Sequence, residues 1–241
     1  MQYDTRNYRS SARIGHGSSR AEVDEGLRTF MLKVYNSMAL GLAVTGVVAY
    51  YVAHSPALLQ AIFGSPLQYI VMLAPLGFVM ALSFGIQRMQ ASTATLLFYV
   101  YAGVMGLSLS SIFVVYTGES MARAFFATAA TFSAMSLYGY TTKRDLTGMG
   151  SFMFMGLIGI LIASLVNIFI GSSALQFAIS VIGVMVFVGL TAYDTQMLKS
   201  MYYASDDVET GTKKAIMGAL TLYLDFINMF LFILRLFGER R

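Results

Sequence analysis

Seven long apolar stretches, almost free of charge, dominate this chain of 241 residues. Each is close to the roughly 20 helical residues that cross a hydrocarbon core about 30 Å thick. A backbone in lipid must satisfy its own hydrogen bonds, so such stretches are expected to be helices. Their expected extents are Phe30–Ala53, Leu67–Ile86, Ala94–Tyr116, Ala122–Tyr140, Gly150–Ile170, Ala174–Leu198 and Ala215–Phe237. A soluble domain carries about a quarter of its residues as charges; here the share is 12%, against 57% hydrophobic residues. The charges gather near the N-terminus, in short connections and at the extreme C-terminus. The chain therefore reads as an all-α polytopic membrane protein. Residues 30–241 form a seven-helix transmembrane domain, and residues 1–29 form a polar tail.

The tail is rich in Ser, Arg and Gly. Such a composition buries no core, so a mobile segment that turns helical only near the membrane is expected. A cleavable signal peptide is not expected, because the first apolar stretch starts late and is too long for one. The connection His54–Pro66 holds two of the three prolines and no formal charge, which suits a tight turn outside the bilayer. Lys199–Lys214 is the longest and most charged loop. With the N-terminus inside, the inner segments hold twelve of the 16 Lys and Arg. The outer side keeps only Arg123, Arg235, Arg240 and Arg241. The positive-inside bias thus favours a cytoplasmic N-terminus and an external C-terminus. The basic C-terminus dissents, and a re-entrant last span would bring it inside.

The net charge of +4 is accounted for by that loop bias, and no basic run with interleaved aromatics suggests nucleic acid. Cysteine is absent, which excludes disulfides and thiolate chemistry. The two histidines, His16 and His54, supply no His-rich metal site. Gly41, Gly46, Gly103, Gly106, Gly156, Gly159, Gly183 and Gly189 recur inside spans, where small residues let helices approach. Tyr50, Tyr51, Tyr138, Tyr140, Tyr202 and Tyr203 fall near span ends, as interfacial aromatics do. No internal repeat of the transporter kind is evident.

An ionisable group inside a membrane is costly and marks function by default. Two aspartates break the apolar pattern, Asp194 in VGLTAYDTQML and Asp225 in LTLYLDFINMF. Asp225 lies about 15 Å into its span at the helical rise, and Asp194 about one turn from the inner end of its own. Adjacent antiparallel helices can bring the two together in the cytoplasmic half. Two carboxylates in a poorly hydrated site would share a proton and titrate as a unit. When both ionise they attract a hard divalent cation, with oxygen ligands completing its shell. Thr191, Thr195, Gln196 and Asn228 are candidate ligands or hydrogen-bond partners. Alternatively, each aspartate caps a backbone break or pairs with an arginine. Arg88, at the inner end of the second span, is the nearest cation topology allows, either reaching Asp194 or serving as an ordinary anchor.

The segments LTAYDTQMLKSMY (190–202) and ALTLYLDFINMFLFILRLFG (219–238) resemble the two C-terminal hallmarks of the Bax inhibitor-1 family. The stretch YGYTTKRDLTGMGSFMFMGLIGILIASLVNIF (138–169) resembles its bacterial branch. The resemblance implies a seven-helix fold with the last helix at the centre. It also implies a calcium leak across the membrane, controlled by a di-aspartyl pH sensor. Asp194 and Asp225 match the two aspartates, as sensor and as the groups that calcium meets. Arg88 is the match for an arginine latch on the second helix. Calcium and protons are the implied ligands, and no cofactor is expected. Some members are regulators that act through membrane proteases or cell-death proteins, which is the alternative function. The bacterial-like spans and the lack of an ER-retention signal favour a bacterial inner membrane.

An enzyme is not expected. A rhomboid-like protease needs Gly-x-Ser-Gly and an intramembrane histidine. A presenilin-type aspartyl protease needs GxGD, whereas Asp194 follows AY and Asp225 follows YL. A retinal protein needs a lysine in the last span, which has none.

Overall fold

The computed structural model describes residues 18–241, and their side-chain surroundings from Asp24 onward. The expected tail up to residue 17, with His16, lies outside the described residues. Eight α-helices follow in order: α1 (Ser18–Ala53), α2 (Pro56–Phe63), α3 (Leu67–Gly85), α4 (Ala91–Val115), α5 (Gly118–Thr141), α6 (Thr147–Ile170), α7 (Ser173–Ser200) and α8 (Val208–Phe237). A 3₁₀ turn, Ile86–Arg88, extends α3. Every expected span lies on one of these helices.

Several helices outrun the apolar stretches that announce them. α1 begins at Ser18, so the charged residues just before Phe30 are helical, in line with the helix expected near the membrane. Tyr202 packs closely on this segment: a Cβ at Gly26 would stand 1.9 Å from its hydroxyl. α8 begins at Val208, because the Asp207 side chain accepts from the Thr210 N–H and caps it. The expected loop Lys199–Lys214 is thereby cut to Met201–Asp207. That hydrogen bond holds the Asp207 carboxyl below the usual carboxylate range. A depressed carboxylate contributes above its unfolded pKa and loses that contribution as pH falls through its folded one. Asp207→Ala is therefore expected to fray the first turn of α8 at neutral pH. Amide exchange at Thr210 should be faster than in the unsubstituted chain at neutral pH, and the two rates should converge in acid. The connection between the first two spans is also more than a turn. It holds α2, started by Pro56 at its first turn, with Ile62 buried against Val52 and Val71.

The third proline, Pro75, sits inside α3 and cannot donate to the Val71 carbonyl one turn back. The Ser108 hydroxyl of α4 donates to that carbonyl instead. A span thus keeps its proline because a neighbour supplies the missing donor.

Among the described residues, six helices are long and apolar enough to cross a membrane: α1 from Asp24, α3 with its 3₁₀ turn, α4, α6, α7 and α8. α5 is as long but richer in Ala, Ser and Thr. Its first residues meet the C-terminal strap, where Thr117 N donates to Glu239 O and Arg241 N to Val115 O (each 3.0 Å). Its far end meets the end of α7, where Lys199 Nζ donates to Tyr140 O at 3.0 Å. α5 therefore runs the full height of the bundle and is the seventh crossing.

α8 is the centre. Of its apolar window 67% is buried, against 6% for α6. α1, α4, α5 and α7 pack directly on it, while α3 leans on α4 and α6 on α7. α8 is one unbroken helix, so the last span is not re-entrant. One end of the bundle gathers the starts of α1, α4 and α8. There Lys33 Nζ donates to Thr212 Oγ1 at 2.7 Å, and Ala91 N to Glu209 Oε1 at 2.8 Å. The C-terminus lies at the opposite end.

Candidate functional site

Close approach of α7 and α8 builds the site. A Cβ at Gly218 would stand 2.8 Å from Leu198, and one at Gly183 2.7 Å from Phe232. These glycines let the two helices meet along much of their length. Between them Asp194 projects from α7 and Asp225 from α8, within hydrogen-bonding reach of each other. Both are buried, with 8% and 4% of their surface exposed. Among the described residues no donor reaches Asp225 Oδ2, so the Asp194 carboxyl is its polar company.

Such a contact has two stable forms. Two ionised carboxyls repel, whereas one proton between them makes a hydrogen bond. A hard divalent cation between them also removes the repulsion.

The other expected partners divide. Thr195 and Thr191 are fully buried beside Asp194, but their hydroxyls donate backward, to Thr191 O (2.8 Å) and Phe187 O (2.7 Å). Each keeps acceptor lone pairs. Gln196 points elsewhere: its amide accepts from Leu146 N and donates to Arg144 O, both 2.8 Å, and braces the α5–α6 connection. Asn228 donates to Leu224 O on its own helix at 2.8 Å. Arg88 is exposed and makes none of the ion pairs among the described residues. The structure joins the aspartates and does not bring Arg88 into ion-pair contact with either.

Two polar features escaped the sequence reading. Thr195 Oγ1 bonds Ser136 Oγ of α5 at 3.0 Å, which in turn bonds Tyr35 OH of α1 at 2.6 Å. Tyr35 and Ser136 line a cavity of about 500 Å³ between α1 and α5, bounded by Arg28 and Tyr140 near the end where α1 begins. A hydrogen-bonded thread thus leads from Tyr35 at this cavity to Thr195, the neighbour of Asp194. The signal lay in α5, where Thr128, Phe132 and Ser136 recur every fourth residue on its buried face. Second, Tyr101 and Tyr223 are fully buried in the interior, unlike the exposed interfacial Tyr50, Tyr51 and Tyr203. The Tyr223 hydroxyl is paired with Thr45 Oγ1 at 2.7 Å. Among the described residues the Tyr101 hydroxyl has no partner.

The family described as "Inhibitor of apoptosis-promoting Bax1" matches residues 27–241. The inner membrane protein YbhL of Escherichia coli K12 is 51% identical, over 95% of this chain and 99% of its own length. An uncharacterized protein of Rickettsia prowazekii is 54% identical, over 93% and 95% of the two chains. An uncharacterized membrane protein of Streptococcus pyogenes is 38% identical, over 90% and 95%. On this match along nearly its whole helical length, the chain belongs to the Bax inhibitor-1 family.

Proposed function

We propose that this protein is a pH-sensitive calcium leak pathway of a bacterial inner membrane, gated by the Asp194–Asp225 pair. The observation that carries the proposal is the contact between two buried carboxyls on adjacent helices, with no donor for Asp225 Oδ2 among the described residues. The polar thread from Tyr35 through Ser136 to Thr195 gives protons an approach from one face. Calcium is the cargo suggested by the family resemblance. Among the described residues no third acidic or histidine group joins the pair. A tight calcium site gathers six to eight oxygens, so two carboxylates suit an ion that passes rather than one that stays. The end where α1 begins carries Arg28, Lys33, Lys143, Arg144, Lys199, Lys213 and Lys214, and we place it in the cytoplasm. The name of the Escherichia coli relative, an inner membrane protein, supports the same membrane here.

The sign of the pH response follows from the contact. A proton held between the carboxyls ties α7 to α8, and its loss sets like charges against each other and drives the helices apart. Calcium flux into proteoliposomes of the purified chain is expected to rise from mildly acidic to mildly alkaline pH. Asp194→Asn and Asp225→Asn each place a permanent amide donor opposite the remaining carboxyl. Each variant is expected to keep the low flux at every pH. A variant whose flux tracks pH as the wild type does would remove the pair from the gate.

The second reading, a non-conducting regulator, is favoured by the family's description as an inhibitor of a cell-death protein and by the outward apolar face of α6. Wild-type protein that moves no calcium at any pH would leave this reading in place of the leak.

A further inference from the structure

α1 and α5 both pack on α8 but not closely on each other, and they leave a seam along the side of the bundle. Beyond the Tyr35–Ser136 bridge, toward the C-terminal end, the seam widens into a cavity of about 560 Å³ floored by Phe226 and Phe230 of α8. Its walls are apolar, Leu42 and Ala49 of α1 facing Met121 and Phe125 of α5. Tyr50 and Phe126 at its edge are themselves largely exposed. A groove of this kind, between two membrane-spanning helices that do not seal it, opens sideways to hydrocarbon.

Apart from Thr45, whose hydroxyl is bonded to Tyr223 OH, the polar groups lie at one end. His54 and Arg241 line the cavity there. His54 Nδ1 lies 2.8 Å from Tyr50 O; a carbonyl can only accept, so Nδ1 carries the proton and neutral His54 keeps Nε2 as an acceptor. Arg241 is held in place through its backbone N–H on Val115 O. The nearby acidic side chains, Glu119 and Glu239, are engaged by Arg123. Arg241 makes none of the ion pairs among the described residues. The adjoining Arg240 lies over the Tyr116 ring.

From this arrangement we infer a binding site for one anionic phospholipid with a hydroxyl-bearing headgroup. An acyl chain lies in the α1–α5 groove, the phosphate meets Arg241, and a headgroup hydroxyl donates to His54 Nε2. Charge complementarity selects the occupant: an apolar helix of a partner would fill the groove but leave the Arg241 guanidinium, which makes none of the ion pairs among the described residues, unanswered. The volume lies within the range of about 300–1,000 Å³ typical of small-molecule sites.

Native mass spectrometry of the detergent-purified full chain tests this, with phosphatidylglycerol and phosphatidylcholine of identical acyl chains added in turn. One phosphatidylglycerol per chain is expected to survive in preference to phosphatidylcholine. Arg241→Ala is expected to reduce that preference about five-fold, the effect of one basic residue near a lipid headgroup. A Cβ at Gly46, which also lines the cavity, meets nothing within 4 Å. Gly46→Leu therefore starts its side chain in open groove space and should strip both lipids, while Gly46→Ala keeps them and shows that the helix is intact. Equal retention of the two lipids overturns the inference, as does a Gly46→Leu protein that holds phosphatidylglycerol like the wild type. So does a groove found closed by a second copy of the chain.

Discussion

Gly139→Ala is expected to pry α5 from α7 and to destabilise the bundle by about 1–3 kcal/mol, the usual penalty for forcing extra volume into a packed interior. The methyl group would stand 2.2 Å from the Ala192 carbonyl oxygen and 2.9 Å from its carbon. Both are backbone atoms, so no side chain can rotate away and the helices must separate. In lipid, helices are held by such close approach rather than by a hydrophobic drive, and the loss is not recovered elsewhere. The same displacement pulls Ser136 from Thr195, now 3.0 Å apart, so the polar thread toward Asp194 should break with it. The matched control is Gly46→Ala, whose methyl enters open space. There the lower backbone entropy of alanine in a helix should stabilise by about 0.5–1 kcal/mol. Thermal unfolding of the two variants in one detergent should move in opposite directions. Equal stabilities would mean that α5 and α7 do not cross at Gly139.

The glycines show what a sequence can and cannot disclose. The pairs read as packing positions split: Gly41, Gly106, Gly156, Gly183 and Gly189 are tight, whereas Gly46, Gly103 and Gly159 face open space. Gly139 and Gly150, among the closest approaches, sit near span ends, outside those pairs. Spacing reports that a small residue is present, but only the facing helix decides whether it is needed. The spans were legible because lipid imposes one length and one composition. Their extensions were not, since α1 and α8 continue into water as ordinary polar helices. α2 is hidden in the sequence because its eight residues are too few for a span and the prolines near its ends also suit a turn. The aspartate pair was legible because ionisable groups stand out against an apolar background. Its supporting polar residues were not. Gln196 and Asn228 lie close in sequence but spend their amides on the α5–α6 connection and on their own helix. Tyr35 and Ser136 come from distant helices.

The aspartate pair also allows a prediction about stability, separate from transport. Asp194→Leu leaves the Asp225 carboxyl buried without its companion, and Asp225→Leu does the reverse. Each is expected to destabilise the protein by about 1–3 kcal/mol, the usual penalty for an unsatisfied buried polar group. Replacing both removes the unsatisfied groups together, and an apolar pair of similar shape can be neutral or stabilising. The double variant is therefore expected to be at least as stable as the wild type, which gives a strongly non-additive cycle. Its calcium flux should at the same time be independent of pH. That combination has only one physical reading: the carboxyls burden the fold and are kept for what they do. If the double variant instead loses the sum of the two single effects, the carboxyls do not act on each other. The aspartates would then be two separate structural groups, and the gate would have to be sought along the Tyr35–Ser136–Thr195 thread.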